Sequence, residues 1–185
     1  MKTLVIYTSE TGYTKQYVDM LERRLIDPKI VELKELKKDM IKEADFIFYG
    51  GPLKNNVIRG LDKFLKHSKL FEGKDVFIFC TGIQPNDDEK KELVIMANAL
   101  DSYHVRLYML PGGLDLTKMG TIKRKLMEMG FKRAFESGQV PEGVSMEMLE
   151  ERFKYPISLI DPNAIDRMCH VYTVLVSRKS AEENN

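Results

Sequence analysis

Four short, near-continuously apolar runs constrain this chain more than any other feature: residues 3–7 (TLVIY), 45–49 (DFIFY), 75–80 (DVFIFC) and 105–110 (VRLYML). Each is β-branched or aromatic and bounded by Gly, Pro or Ser/Thr/Asn, the pattern of a buried strand. Residues 29–33 (KIVEL), after the Asp27-Pro28 turn, read as a fifth. Runs without alternation suit a parallel sheet covered on both faces, more than a sandwich with one wet face. Between the runs lie helical spacings. Val18, Leu21 and Leu25 recur in 14–25, and Val57, Ile58, Leu61, Phe64 and Leu65 in 57–67. Residues 88–100 open on capping carboxylates and carry Leu93, Val94, Met96, Ala97 and Leu100. Strand–helix alternation of this kind predicts an α/β, doubly wound fold.

The last strand is not followed at once by a closing helix. Pro111-Gly112-Gly113 leads into an insertion over 111–160, in which 117–135 reads as helical and 139–143 as a turn. Asp161-Pro162 then opens a last helix with Ile165, Met168, Val171, Tyr172 and Leu175 on one side, proline standing at its first position. The expectation is one domain over 1–178, with a polar, frayed tail at 179–185. At 185 residues the chain buries enough apolar surface to need no metal or disulfide. Its two cysteines, Cys80 and Cys169, lie far apart without ligand spacing, which fits a reducing, cytoplasmic location. No apolar run reaches the ~18 residues of a membrane span, and no signal peptide is read. A net charge of +1 argues against nucleic acid as a partner. His67, His104 and His170 share no metal-ligand spacing.

The chemistry concentrates after the first strand, in Thr8-Ser9-Glu10-Thr11-Gly12-Tyr13-Thr14. A strand end aims this loop at the carboxyl edge of the sheet, where open α/β sheets bind ligands. The helix that follows offers N–H groups and a positive dipole end to an anion. Ser9, Thr11 and Thr14 add hydroxyls, and Gly12 permits a tight wrap. A P-loop needs GxxxxGK[ST] and a dinucleotide fingerprint needs three glycines, whereas this loop has one glycine and no lysine before Thr14. A hydroxyl-rich, glycine-poor loop suits a monoester phosphate. A Ser/Thr helix cap without a ligand is the plainer alternative.

Ser9-x-Thr11-Gly12-x-Thr14 between a first strand and a first helix resembles the FMN phosphate loop of the flavodoxins, and the strand spacing is similar through Leu110. The resemblance implies a flavodoxin-like five-stranded parallel sheet of order 2-1-3-4-5 with helices on both faces. It implies FMN as cofactor, with Ser9, Glu10, Thr11, Gly12, Tyr13 and Thr14 at the phosphate. The flavin ring would lie between the loops after the third and fourth strands, at Pro52, Leu53, Lys54 and Asn55 and at Thr81, Gly82, Ile83 and Gln84. Those loops lack the Trp or Tyr that flavodoxins stack on the ring, leaving Leu53 and Ile83 as the nearest apolar side chains. Lys54, if it lies over the ring, would favour the negatively charged reduced flavin; pointing to water is the bland reading.

The insertion sets Lys118, Lys123, Arg124, Lys125, Lys132 and Arg133 against Asp115 and Glu128, with Met119, Ile122, Leu126 and Met129 at helical spacing. A basic amphipathic helix fits an anionic membrane surface; a solvated face over a core seam is favoured here. Gly-Gly-Leu after a strand, a basic Met-rich helix and a closing helix resemble the menaquinone-dependent protoporphyrinogen oxidase branch of flavodoxin-like proteins, as does the opening Met1-Lys2-Thr3-Leu4-Val5-Ile6-Tyr7. The first reading is therefore an FMN-binding electron carrier serving a redox partner protein or a small-molecule electron acceptor. The second is an FMN-dependent oxidoreductase acting on a quinone or protoporphyrinogen-like substrate. The third is a flavin-free interaction module on the same fold.

Overall fold

The structure, a computed structural model, describes residues 1–82, 87–115, 117, 120–138, 145, 147–148, 151 and 154–183. In chain order the elements are β1 (Thr3–Tyr7), α1 (Tyr13–Glu22), β2 (Lys29–Glu32), α2 (Lys38–Glu43), β3 (Phe46–Lys54), β4 (Val57–Ile58), α3 (Leu61–Leu65), β5 (Asp75–Gly82), α4 (Asp88–Ala97), β6 (Val105–Pro111), β7 (Gly113–Leu114), α5 (Thr121–Glu136), β8 (Ile157–Ser158) and α6 (Asp166–Glu183). Two compact units result: Met1–Gly112 with Leu159–Asn185, and Gly113–Ser158.

In the first unit five parallel strands run β2-β1-β3-β5-β6, the expected order 2-1-3-4-5. Alternation along each strand divides the core into two layers. Leu4, Ile6, Ile47, Tyr49, Val76 and Ile78 face Ile41, Phe64 and Val94 of α2, α3 and α4. Val5, Tyr7, Phe46, Phe48, Phe77 and Phe79 face Tyr17, Val18 and Leu21 of α1 and Met168 and Tyr172 of α6. Phe48 stacks on Phe77 at 4.4 Å between ring centroids, and Tyr172 meets Phe46 edge-on at 5.0 Å. Strands buried on both sides must be apolar at consecutive positions, hence the unbroken runs.

The sheet departs from expectation after Tyr49. Residues 50–54, read as a loop, continue β3, and Val57 and Ile58, read as helical, form the returning strand β4. Leu53 pairs with Ile58 and Lys54 with Val57, antiparallel. The turn between them is Asn55-Asn56, with φ 50° and 65°. Two left-handed residues give the tight turn whose twist matches a hairpin, and asparagine tolerates that conformation. The helix begins only at Leu61. The final helix also differs, running through the segment read as a polar tail to Glu183 after a single 3₁₀ turn at Pro162–Ile165.

Tyr17 anchors both stems of the insertion within the first unit. Fully buried in α1, it donates its hydroxyl to Pro111 O at 2.7 Å and accepts from Asp161 N–H at 3.1 Å. Gly112 N–H donates to Gly82 O and Leu159 N–H to Gly112 O, each at 2.7 Å. Tyr17→Phe orphans a carbonyl and an amide, each worth roughly 1–3 kcal/mol when left unsatisfied. Urea unfolding is expected to show a loss of about 2 kcal/mol or more at unchanged m-value. A loss below about 0.5 kcal/mol would mean that both groups find other partners.

In the second unit β7 and β8 form a two-stranded antiparallel ribbon, and α5 is its long helix. The expected turn at 139–143 lies outside the described residues. Among the described residues no helix is long and apolar enough to cross a membrane.

Candidate functional site

The carboxyl edge of the sheet is built around the turn from β1 into α1. Thr8 N–H donates to Gly50 O at 2.9 Å, extending the β1–β3 pairing one residue past Tyr7. The chain then reverses at Gly12, whose φ of 94° a side chain would strain. The bond from Gln16 N–H to Gly12 O at 3.1 Å closes the first turn of α1. The N–H groups ahead of that turn face the loop, backed by the helix dipole, and no acidic residue stands in the first turn.

Ser9 Oγ accepts from Gly12 N–H at 3.2 Å, which draws the loop into a small ring. Glu10, the loop's one carboxylate, is held by Arg59 Nε at 3.1 Å, both side chains about half exposed. Its charge is thereby balanced away from the helix N-terminus. Tyr13 and Thr14 are buried under the loop. Thr14 is 2% exposed, and its hydroxyl pairs with that of Thr81 at 2.8 Å, so its side chain joins α1 to the end of β5.

That pairing brings the first loop against the end of β5, one of the two segments expected to flank a ring. Pro52 pairs in register with Thr81, the last pair between β3 and β5. Leu53 lies against Gly82, where an added Cβ would stand 3.5 Å from Leu53 Cβ. Lys54 and Asn55 are exposed at the hairpin tip. Ile83 and Gln84 lie outside the described residues. Cys80, one residue before Thr81, is 1% exposed, and burial pushes its thiol up to about 12, so it is chemically inert at neutral pH.

Three residues that shape this edge escape sequence reasoning. Tyr49 donates its hydroxyl to Arg59 O at 2.7 Å and approaches Thr8 Oγ1 at 3.5 Å; burial raises its pKa to about 12. Gly60, at φ 77°, gives way to it: a Cβ there would lie 2.6 Å from Tyr49 Oη and 3.0 Å from Thr8 Oγ1. Asn98, capping α4, accepts from Ile58 N–H at 2.9 Å and donates to Asn56 O at 2.7 Å, which pins the hairpin from outside. Lys90 reaches the Asn56 side chain from the same helix. Only the hairpin had a local sign, the Asn55-Asn56 pair. The long-range bonds of Tyr49 and Asn98 have none.

The donor set suits a phosphate monoester: loop hydroxyls, helix N-terminal amides, and a carboxylate neutralised by a neighbouring guanidinium. The sequence model of a family described as flavodoxin domain matches residues 4–138. No curated protein matches the chain. Among solved structures it is similar to a flavodoxin, WrbA-like protein from Agrobacterium tumefaciens, with 15% identity, 67% of this chain and 88% of that one covered, and a TM-score of 0.48. It is similar to the two-electron reduced flavodoxin of Megasphaera elsdenii, with 18% identity, 60% and 83% coverage, and a TM-score of 0.45. A flavodoxin from the domain Archaea shows 18% identity, 60% and 83% coverage, and a TM-score of 0.44.

Proposed function

Because the chain belongs to the flavodoxin-domain family, we propose that it binds FMN at the carboxyl edge of its sheet and passes electrons to or from a partner. The observation that carries this reading is the loop between β1 and α1. It combines the positive end of a ten-residue helix, free of acidic residues in its first turn, with Ser9 and Thr11 and a Glu10 already held by Arg59. When bound, FMN supplies the redox chemistry and the chain supplies its placement. Ser9, Thr11, Gly12 and the amides of Tyr13 and Thr14 hold the phosphate. Leu53, Lys54 and Asn55 on the hairpin, with Thr81 and Gly82, bound the ring. Tyr49, Arg59 and Asn98 keep the hairpin and the loop in place.

Titration of the apoprotein with FMN, followed by flavin absorbance and fluorescence, tests the reading. Saturable binding with a structured visible band is expected. A folded chain that leaves FMN free at micromolar concentration would overturn it and favour the interaction module. A second reading, an oxidoreductase acting on a quinone or protoporphyrinogen-like substrate, draws support from the compact unit Gly113–Ser158, which a simple carrier does not require. Steady-state turnover with quinones and protoporphyrinogen separates the two readings.

A further inference from the structure

The helix α5 presents an uncovered apolar face. Ile122, Leu126 and Met129 stand at i, i+4 and i+7, a single stripe, and are 78%, 68% and 56% exposed. Met127, Ala134 and Phe135, on the other side, are half-buried. One side of the helix is thus partly covered while the other looks outward. Lys125 and Lys132 border the stripe, and Arg133 continues it one turn further; all three are exposed. None has an acidic partner among the described residues. Of the acids on α5, Glu128 faces away and pairs with Arg124 at 3.1 Å, and Glu136 ends the helix. Met148 and Tyr155 add exposed apolar surface to the same unit.

We propose that this face of α5 docks on an anionic lipid bilayer. The helix would lie in the plane of the interface, with Ile122, Leu126 and Met129 among the upper acyl chains and the basic groups at the headgroups. An apolar stripe edged by long basic side chains matches such a boundary, because Lys and Arg extend to the polar layer while their stems stay in the apolar one. A second copy of the chain is a poor occupant, since a symmetric pairing through this stripe sets Lys125, Lys132 and Arg133 against their own like charges. The sequence reading favoured a solvated face over a core seam, whereas Ile122, Leu126 and Met129 are exposed.

Co-sedimentation of the full-length protein with vesicles tests this, with or without FMN. Binding is expected to vesicles containing phosphatidylglycerol at low salt, and not to pure phosphatidylcholine vesicles. It should be lost in about 1 M salt, where charges are screened beyond roughly 3 Å. Each basic group near an anionic surface multiplies partitioning roughly fivefold, so Lys125→Gln, Lys132→Gln and Arg133→Gln together should lower it about a hundredfold. Leu126→Glu should lower it at least about tenfold at low salt. Circular dichroism confirms that these surface variants fold. Wild-type protein that stays in the supernatant with anionic vesicles at low salt overturns the proposal, as does binding indifferent to salt and to the glutamine changes. A dimer in sedimentation equilibrium that Leu126→Glu abolishes assigns the face to a second copy, and likewise overturns it.

Discussion

A chain carrying Ser9→Ala and Thr11→Ala is expected to bind FMN at least about 100-fold more weakly, while its affinity for riboflavin changes little. In the proposed site both ligands would present the same ring to the hairpin and to β5, and only FMN would present a dianion to the loop. Each hydroxyl bonded to that dianion contributes roughly 1.5–3 kcal/mol, so losing two exceeds the ~2.7 kcal/mol of a hundredfold change. The amides of the α1 N-terminus remain in the double variant, so binding is weakened rather than abolished. Thr14 belongs to a different class. Its hydroxyl pairs with Thr81 under the loop, so Thr14→Ala acts through the placement of β5 and should weaken FMN and riboflavin together. Asn98→Ala, which frees the hairpin, should do the same. Equal losses of FMN and riboflavin in the Ser9/Thr11 variant would show that the loop does not hold the phosphate. Fluorescence titration of the four proteins with both ligands decides the matter.

The largest effect on folding is expected at Gly50. It lies in the interior of β3, directly opposite Phe79 on β5, and its carbonyl accepts from Thr8 N–H. An alanine Cβ there would stand 2.1 Å from Phe79 Cζ and under 3 Å from two further ring atoms. The ring is fully buried between Phe48, Phe77 and α1, in a core without room for it to swing aside. Overpacking usually costs about 1–3 kcal/mol, and a contact this short belongs at or beyond the upper end. Gly50→Ala is therefore expected to lose at least about 3 kcal/mol in chemical unfolding, or to fail to accumulate as folded protein. Trimming the opposing ring with Phe79→Leu should return part of the loss, because the two substitutions share one space. A destabilisation below about 1 kcal/mol for Gly50→Ala alone would mean that the ring has room to move.

The strands were legible because a parallel sheet covered on both faces needs apolar residues at consecutive positions, and 3–7, 45–49, 75–80 and 105–110 satisfy that locally. The turn from β1 into α1 at Ser9 was legible because a strand end and a helix start draw on neighbouring residues. The hairpin was missed for a local reason: Gly-Gly-Pro resembles a break, while pairing with β5 through Pro52 and Thr81 carries β3 past it. Val57 and Ile58 fit a helical spacing as readily as a returning strand. The left-handed Asn55-Asn56 turn decides between the two.

By itself, the sequence determined the α/β class and the segment that turns into α1 at the sheet edge, while the strand order came in with the resemblance to the flavodoxins. The first two rest on periodicity and on residues within one turn of each other. The tertiary structure alone decided what each loop side chain does. Thr14 meets Thr81 across 67 residues, Glu10 meets Arg59 across 49, and Tyr17 holds stems 94 and 144 residues away. A hydroxyl or carboxylate bonds equally well to a ligand, to water or to another part of the chain. Which partner it takes depends on distances that exist only once the sheet has closed.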